Sequence, residues 1–317
     1  MNLLNIYINE PLNFPLEYLL KKDHKKYKIN IINDKNKANI LFVRLNKKYD
    51  SLELGEFKNI KYICTSTTGL NHLDLNYLEE KNITLISLKG ESDFLSNIKT
   101  TADLALSMIL ASQTLMLDSA SSVSNGIFDR RKFFRKGFKN SPIGILGYGR
   151  LGNLVSAYLL KLGFEVNFFD IKDFNNYDER LKKCQSIEEL FRCCKIISIH
   201  VNYEKRNKNL INKNLLKLNP PYKIINTSRA ELFNSAEIEY CFENKLLEQY
   251  LTDVLEEEPF SNPNEIKYSR LWKMQQKYGT NSIFITPHIG GACWSNLYKC
   301  EVFLIDKLFK EMCTDFA

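Results

Sequence analysis

The sequence predicts an α/β protein built from two doubly wound parallel sheets. Two series of short apolar runs, one in about the first hundred residues and one in the rest, alternate with segments of helical length. The runs are almost continuously apolar, which is typical of parallel strands covered by helices on both faces. The first series covers residues 3–8, 29–32, 40–45, 60–64 and 83–88. The second covers residues 143–146, 164–169, 196–201, 223–226, 250–254 and 283–285.

Three intervening segments have helical periodicity, at residues 74–81, 100–117 and 150–162, and a polar, serine-rich stretch follows at 119–125. No repeat of 20–50 residues is visible, so a solenoid is not expected. The length of 317 residues suits two domains, at roughly 100–200 residues each.

Composition and charge exclude several classes of protein. Hydrophobic residues make up 44% of the chain, enough for a large core, so wholesale disorder is excluded. The net charge of +7 is modest and many lysines alternate with asparagines, as in solvated loops, so we expect no nucleic-acid partner. The eight cysteines form no CxxC pair and lack zinc-like spacing, so we expect reduced thiols and no metal site.

No apolar run reaches the roughly 18–20 residues that a membrane helix needs, and the N-terminus shows no secretory signal. With reduced cysteines, these observations predict a cytoplasmic protein without a membrane partner.

A glycine-rich turn predicts a dinucleotide site. Gly147, Gly149 and Gly152 form a GxGxxG pattern between an apolar strand and a helix, and Asp170 ends the next strand. In this context the first glycine makes the turn, the second lets a pyrophosphate approach, and the third lets helix and strand pack. The phosphates would meet the helix N-terminus. We therefore expect cofactor contacts from the whole turn, including Tyr148, Arg150 and Leu151.

Asp170 points to the choice of cofactor. A carboxylate there can accept hydrogen bonds from both ribose hydroxyls, and its charge would repel a 2′-phosphate. This favours NAD over NADP, although Lys172 nearby weakens the preference.

Three strand ends in the second half carry polar residues. Arg229 follows one predicted strand, an acidic run ending in Glu258 follows the next, and His288 follows a third. Each alone has an ordinary structural interpretation, as surface arginine, solvated loop or structural histidine. The carboxyl ends of parallel strands surround the ligand crevice, however, so the three are expected to converge.

Taken together, these segments resemble the D-isomer-specific 2-hydroxyacid dehydrogenases. The chain has that family's arginine motif, its Asp-Val…Glu-Pro motif and its Thr-Pro-His-Ile-Gly-Gly motif, in the family's order. The segment 67–74 is similar to the family's substrate loop, 101–104 to the start of its interdomain helix, and 128–130 to a Trp-Asp-Arg-like stretch. The resemblance therefore covers nearly the whole chain.

The resemblance implies a hydride transfer between NAD(H) and C2 of a 2-oxo or D-2-hydroxy acid. Arg229 would bind the substrate carboxylate, His288 would be the general acid or base, and Glu258, which directly precedes Pro259, would orient the imidazole and favour its protonated form. Gly69 and Leu70 would offer backbone N–H groups to the substrate carboxylate. Further cofactor contacts are implied for His200, Val201, Thr227, Ser228, Asp253, Gly290 and Gly291, with Asp253 near the nicotinamide carboxamide. Arg44 matches a site arginine of some members, but surface placement is an equal alternative.

The resemblance also implies the domain organisation. A flavodoxin-like substrate domain would comprise residues 1–99 and 290–317, with a Rossmann domain of residues 100–289 inserted, and closure of the two would exclude water. The basic and aromatic run 130–136 would contribute to a homodimer, with Phe133 and Phe134 as anchors. Nucleic-acid binding by this run is the less favoured alternative.

Several positions depart from the family pattern and leave the substrate and the direction of reaction open. Asn71 and Asp103 replace an aspartate and a glutamate, Ala230 replaces a glycine, and residues 201–203 with Asn207 replace a Val-Pro-Leu segment and its threonine. The stretch 260–281 is longer than usual, which predicts an added helix around 268–277. An NAD(H)-binding regulatory or scaffold protein remains an alternative, as does another NAD chemistry on the same fold, although a scaffold has no need of the acid His288.

Overall fold

The computed structural model describes residues 2–22, 27–134, 142–258 and 262–314. The chain folds as two compact units. The first comprises the residues up to Ile98 together with those from Ala292 on, and the second comprises Lys99–Glu258 and Asn262–Gly291.

The first unit contains a parallel five-stranded sheet. Its strands are β1 (Asn2–Ile8), β2 (Tyr27–Ile31), β3 (Ile40–Val43), β4 (Tyr62–Thr65) and β5 (Thr84–Ser87), in the spatial order β2-β1-β3-β4-β5. The helices between them are α1 (Leu16–Leu20), α2 (Ser51–Gly55), α3 (Leu75–Glu80) and α4 (Ser92–Leu95). This is the strand order of flavodoxin-like folds, whose switch point lies between β1 and β3.

The second unit contains a parallel seven-stranded sheet. Its strands are β6 (Ile143–Leu146), β7 (Val166–Phe169), β8 (Leu181–Lys183), β9 (Ile196–Ile199), β10 (Tyr222–Asn226), β11 (Leu247–Thr252) and β12 (Ile283–Ile285), in the order β12-β11-β10-β9-β6-β7-β8. Its helices are α5 (Thr100–Thr114), α6 (Met116–Ser124), α7 (Arg150–Lys161), α8 (Ile187–Cys193), α9 (Lys213–Leu216), α10 (Ser235–Glu243) and α11 (Arg270–Tyr278). The order reverses at β6 and β9, as in a Rossmann fold.

The last helix, α12 (Trp294–Thr314), belongs to the first unit although it follows the second in the chain. Its buried face, which includes Leu304, Ile305 and Leu308, joins the core formed by β1, β3 and β4. At about 25 cal/mol per Å² of buried apolar surface, three such side chains contribute several kcal/mol, so α12 fastens the chain end to its N-terminal half.

The predicted fold class is confirmed, with differences in detail. The predicted strands correspond to eleven of the twelve observed among the described residues, and β8 was missed. The serine-rich stretch is helical: the Ser119 and Ser124 hydroxyls donate to the carbonyls of Met116 and Ala120, so these side chains satisfy themselves within helix α6. A helix does lie in the long segment, at Arg270–Tyr278, with Leu271 and Met274 buried.

Within the part of the chain that the structure describes, no single helix is long and apolar enough to span a membrane. Only α5 and α6 taken together reach that length and composition, and their axes are bent by 72°. The predicted cytoplasmic location stays a prediction.

Candidate active site

The glycine-rich turn connects β6 to α7 at the carboxyl edge of the seven-stranded sheet. Gly147 has φ +94°, in the left-handed region that favours glycine. A Cβ on Gly147 would lie 2.8 Å from the carbonyl oxygen of His200, and one on Gly152 would overlap the carbonyl oxygen of Gly147. These two glycines are therefore required by the protein's own packing.

Gly149 differs from both neighbours. A Cβ there would meet nothing within 4 Å, so the space above it is open. Gly149 is the N-cap of α7, whose first amides have no partner within the helix. Space and amide donors together form a place where an anionic group can approach the backbone.

Asp170 lies at the carboxyl end of β7 and is partly buried. Its Oδ2 accepts a hydrogen bond of 2.7 Å from the backbone N–H of Tyr148, and its Oδ1 accepts one of 2.8 Å from the backbone N–H of Lys172. The carboxylate is thus fixed beside the turn and retains lone pairs for further donors. The Tyr148 ring itself points inward and stacks on Phe168 at 4.1 Å, so only its backbone belongs to the site.

The residues directly after β9 lie against the same turn. The His200 backbone bonds to Leu146 and lies against Gly147 together with Val201, but its ring is turned into the core, where Nε2 lies 2.9 Å from Ser198 Oγ. Burial lowers the pKa of His200 to about 4. The ring is therefore neutral at pH 7 and packs as a core side chain, which leaves the His200 backbone as the part that adjoins the turn.

Thr227 and Ser228 follow β10. The Ser228 hydroxyl donates to the carbonyl of Ile199. Thr227 Oγ1 is buried and has no hydrogen-bond partner among the described residues. Because an unpaired buried hydroxyl is costly, Thr227 is suited to a ligand that supplies the missing partner.

Arg229 is held by a buried asparagine. Asn226, the last residue of β10, donates from its amide to the carbonyl of Arg229 and accepts from the backbone N–H of Ser228. Desolvation lowers the pKa of the Arg229 guanidinium, and the nearby carboxylates of Glu231 and Glu258 oppose that shift. An arginine has so high an intrinsic pKa that it stays charged. Arg229 is therefore a partly desolvated cation that can bind an anionic group.

Glu258 and His288 form a close pair. Nδ1 of His288 lies 2.5 Å from Oε2 of Glu258, and the other carboxylate oxygen accepts a hydrogen bond of 2.6 Å from the backbone N–H of Leu255. Glu256 instead binds Ser235 and Glu257 accepts from Arg270. Glu258 is thus the only one of the three adjacent glutamates whose carboxylate reaches His288 in the described structure. Pro259 lies outside the described residues.

The loop that carries His288 is clamped by Asp253. Asp253 Oδ1 accepts hydrogen bonds from the Thr286 hydroxyl at 2.6 Å and the Ile289 N–H at 2.8 Å, and Oδ2 accepts one from the Gly290 N–H at 2.7 Å. His288 has φ +53°, an unfavourable conformation for a residue with a Cβ. The clamp on both sides maintains this conformation and aims the imidazole. Desolvation raises the pKa of Asp253, and the three donors and His288 oppose that rise.

Four predicted positions of this unit lie in α7 and in the loop after His288. Arg150 and Leu151 form the first turn of α7. Gly290 is buried and also accepts a hydrogen bond from Thr101 Oγ1, whereas Gly291 is exposed.

The substrate-loop segment of the first unit is held by a chain of hydroxyl groups. Thr67 Oγ1 donates to the carbonyl of Gly69 at 2.8 Å, Thr65 Oγ1 lies 3.1 Å from Thr67 Oγ1, and His72 Nε2 lies 3.1 Å from Thr65 Oγ1. Each hydroxyl has a single proton, so the order of donation is fixed by the carbonyl at the end: His72 Nε2–H to Thr65, Thr65 to Thr67, Thr67 to Gly69. Gly69 and Leu70 are partly exposed beside this chain.

Arg44 directly follows β3 and is paired inside its own unit. Its Nε and Nη2 lie 2.8 and 2.7 Å from Glu301 Oε1, and its Nη1 donates to the carbonyl of Leu12 at 2.9 Å. The surface placement left open by the sequence does not describe it, because only 13% of its side chain is exposed.

Sequence reasoning missed three supporting side chains. Asn226, Thr286 and His72 each hold a candidate site residue or its loop. Asn226 and Thr286 lie at or just after strand ends, and this position could have marked them as candidates. Nothing in the sequence indicated which residues they would contact.

Comparison with known proteins shows which family the chain belongs to. The family model for the NAD-binding domain of D-isomer-specific 2-hydroxyacid dehydrogenases matches residues 106–290, more than half of the chain. The chain belongs to this family. The resemblance seen in the sequence is therefore confirmed, and the family is one of NAD-dependent oxidoreductases, which confirms the predicted enzyme class and cofactor at that level.

Two relatives and one solved structure give the range of similarity. Hydroxypyruvate reductase of Thermotoga maritima is 24% identical over 97% of this chain and 98% of its own length. D-3-phosphoglycerate dehydrogenase of Haemophilus influenzae is 27% identical over 71% of this chain, and the match spans only 52% of that protein. The structure of D-lactate dehydrogenase from Aquifex aeolicus, complexed with NAD and lactic acid, superimposes with a TM-score of 0.80 at 20% identity, covering 98% of this chain and 96% of the other. This last likeness is one of fold.

Proposed function

We propose that this protein transfers a hydride between NAD(H) and C2 of a 2-oxo or D-2-hydroxy acid. The observation that carries the proposal is the His288–Glu258 pair, with its 2.5 Å separation, on a clamped loop of the unit that also holds Arg229 and the glycine-rich turn. A proton donor, a carboxylate-binding cation and a dinucleotide turn are the groups that such a reaction requires.

The residues around the turn fit a dinucleotide. Gly149 leaves open space at the N-terminus of α7, Asp170 presents a fixed carboxylate, and Thr227 has a buried hydroxyl without a partner among the described residues. Bound NADH would supply the hydride. Gly149 would receive the pyrophosphate, Asp170 the ribose hydroxyls and Thr227 a polar group of the cofactor.

His288 would handle the proton. Glu258 occupies the Nδ1 side of the imidazole, which leaves Nε2 to face the substrate oxygen. During reduction Nε2 would donate its proton to the oxygen at C2, and during oxidation it would accept that proton. Glu258 supports both directions, because a carboxylate at Nδ1 fixes the ring orientation and stabilises the imidazolium.

Arg229 would bind the substrate carboxylate. A guanidinium can contact both carboxylate oxygens through two parallel N–H groups, which also fixes the orientation of C2. We assign Asp253 a positioning role through its hold on the His288 loop, while its predicted contact with the nicotinamide carboxamide stays a prediction. We assign no role in cofactor binding to the imidazole of His200. Only the His200 backbone, which lies beside Gly147, is kept as a proposed cofactor contact.

We assign the cofactor to the second unit and the substrate loop to the first. Gly69 and Leu70 would donate backbone N–H groups to the substrate carboxylate, since neither amide donates a hydrogen bond within the described residues. The hydroxyl chain from His72 supports this role, because it fixes the Gly69 carbonyl and with it the plane of the following peptide.

The test is NADH oxidation by the purified protein with a panel of 2-oxo acids, followed by chirality analysis of the product. The panel includes pyruvate, glyoxylate, hydroxypyruvate and bulkier sugar-derived acids, and NADH binding is measured in parallel by fluorescence. Turnover with formation of the D-hydroxy acid is expected. A protein that binds NADH and turns over none of these acids would instead be a regulatory or scaffold member of the family.

A homodimer is the proposed assembly. In and after α6 the apolar side chains of Met116, Val123 and Phe128 are 54%, 54% and 93% exposed. Of the two predicted anchors, Phe134 is 75% exposed and Phe133 is only partly exposed. Exposed apolar side chains in one stretch of chain would fit an interface if they form a single patch. Arg135 and Lys136 of the predicted interface run lie outside the described residues. Sedimentation equilibrium of the wild type and of Phe128→Ser would test this, with dimer expected for the first and weakened association for the second.

A further inference from the structure

A buried polar cluster adjoins the loop that carries Arg229. Tyr250 and Thr252 are two residues apart on β11, so their side chains leave the same face of the sheet, and Asn226 of β10 lies opposite Thr252 in the strand register. All three residues are fully buried. Because buried polar groups are costly unless they are hydrogen-bonded, each contact within this cluster constrains the residues that it joins.

The oxygen and both amide protons of Asn226 are hydrogen-bonded. Its Oδ1 accepts a bond of 3.0 Å from the Ser228 N–H, and its Nδ2 donates bonds of 3.0 Å to the carbonyl of Arg229 and to the hydroxyl of Tyr250. The first two contacts hold the backbone just before and just after the Cα of Arg229. The third contact joins the same amide to β11.

These partners determine which end of the Asn226 amide faces which residue. The Ser228 N–H can only donate and the Arg229 carbonyl can only accept, so the oxygen has to face Ser228 and the nitrogen has to face Arg229. The second amide proton then points at the Tyr250 hydroxyl, which acts as its acceptor. Because the amide is planar, this bond also restricts the rotation that would break the other two.

Tyr250 is a rigid acceptor. Its ring packs edge-on against Phe233, with the ring centroids 5.8 Å apart, and Thr252 lies beside its hydroxyl. Burial raises the pKa of Tyr250 to about 12, so the hydroxyl is neutral at pH 7. With 0% of the residue exposed, Tyr250 cannot touch a substrate and can act only through the residues around it.

We propose that Tyr250 is a positioning residue for Arg229, because its hydroxyl holds the Asn226 amide in the orientation that fixes the backbone on both sides of Arg229. The inference rests on the proposed function, in which Arg229 binds the substrate carboxylate. A bidentate contact requires the guanidinium to be placed to within about 0.5 Å. Without the hydroxyl, one buried amide proton would lack a partner, and the amide could regain one only by turning away from the Arg229 loop.

The experiment compares Tyr250→Phe with Tyr222→Phe. Tyr222 is the matched control, because it is also 0% exposed and donates from its hydroxyl to the Phe191 carbonyl at 2.7 Å. Tyr222 is the first residue of β10, whereas Asn226 is the last. Each variant keeps its ring and loses one buried hydrogen bond, so both should lower the melting temperature by a similar amount, about 2–4 °C.

Only Tyr250→Phe should weaken substrate binding. With the 2-oxo acid that the wild type turns over best, its KM should rise about five- to ten-fold, with kcat within about two-fold and an unchanged Kd for NADH. The KM of Tyr222→Phe should equal that of the wild type. Equal KM values in the two variants at a similar loss of stability would show that the Tyr250 hydroxyl is merely structural, and would overturn the proposal.

The same substitution in an Arg229→Lys background tests whether the effect passes through Arg229. Lysine has no planar fork to orient, so Tyr250→Phe should change kcat/KM there by less than about two-fold. A loss of about five-fold or more in both backgrounds would mean that the hydroxyl affects substrate binding by another route, and would contradict the proposal.

Failure of the proposed function is distinguishable from failure of this inference. Absence of turnover by the wild type with the whole 2-oxo acid panel would reject the dehydrogenase activity, and with it the role of Arg229 on which the inference rests. Turnover by the wild type with equal KM values in the two tyrosine variants would leave that activity standing and reject only the role of Tyr250.

Discussion

The carboxyl edges of the two sheets use their polar residues in different ways. The edge of the seven-stranded sheet carries several ionisable side chains. Glu258 contacts His288, Asp253 accepts hydrogen bonds from the His288 loop, and Arg229 lies near the Glu258 carboxylate. At the edge of the five-stranded sheet, the loop is held by the neutral Thr65–Thr67–Gly69 chain, and the partly buried Arg44 forms an ion pair with Glu301.

Under the proposed function, this difference separates the groups that carry out the reaction from the loop that binds the substrate. In the proposed reaction Arg229 would supply a positive charge for the substrate carboxylate and His288 would supply the proton donor, and both belong to the unit with the seven-stranded sheet. Gly69 and Leu70, in the unit with the five-stranded sheet, would supply backbone N–H groups on a loop that the hydroxyl chain holds. Substitutions at the two edges should therefore affect kcat and KM differently.

Arg229→Lys should give the largest loss. Lysine keeps the charge but cannot form two parallel hydrogen bonds with a carboxylate, so kcat/KM should fall about 1,000-fold. NADH affinity should stay the same. The matched control is Arg206→Lys, an exposed arginine paired with Glu204 in the same unit. Steady-state kinetics that leave kcat/KM within two-fold would remove Arg229 from substrate binding.

Glu258→Gln should lower kcat about 100-fold, because the amide cannot stabilise the imidazolium as a carboxylate does. Glu257→Gln is its control: Glu257 is the adjacent residue, but its carboxylate accepts from the Arg270 N–H instead. Similar kcat values for the two variants would show that Glu258 has no special relation to His288.

Substitutions of Gly149 and Gly152 should distinguish an effect on cofactor binding from an effect on folding. Gly149→Ala should raise the Kd for NADH at least about ten-fold, because the added methyl group enters the space proposed for the pyrophosphate. Its melting temperature should not change, since nothing lies within 4 Å of that Cβ. Gly152→Ala, in contrast, should reduce the free energy of unfolding by about 2–4 kcal/mol, as overpacking does. Calorimetry and NADH fluorescence titration measure both, and a stability loss confined to Gly149→Ala would refute the contrast.

Thr67→Val should have the smallest effect. Loss of one partly buried hydrogen bond to the Gly69 carbonyl is worth about 1 kcal/mol, so KM for the 2-oxo acid should rise about five-fold while kcat stays unchanged. Thr67→Ser retains the hydroxyl and should restore KM. A fall in kcat without a change in KM would show that the loop serves chemistry rather than binding.

The sequence predicted the features that depend on residues close together in the chain. Buried parallel strands are continuously apolar, so eleven of those described were found, whereas β8 was missed because its Leu-Lys-Lys sequence carries a single apolar residue. The glycines of the turn were found because their spacing between an apolar strand and a helix forms a short local pattern. Family order supplied Arg229, Glu258 and His288 as candidates.

Contacts over long distances in the chain left no such signal. Asp253 clamps amides 36 and 37 residues away, and Arg44 pairs with Glu301 across 257 residues. A side chain's partner at that distance depends on how helices and strands pack, so the sequence left Arg44 undecided between site and surface. The inward turn of the His200 ring was unforeseen for the same reason.

His288→Asn measured for both kcat and NADH affinity tests the account most directly. Asparagine occupies the same loop position and tolerates the left-handed φ of +53°, but it cannot donate a proton to the substrate oxygen. The account predicts a kcat lower by about 100- to 10,000-fold, the range of general acid–base catalysis, with an unchanged Kd for NADH. A variant that keeps the wild-type kcat would contradict it.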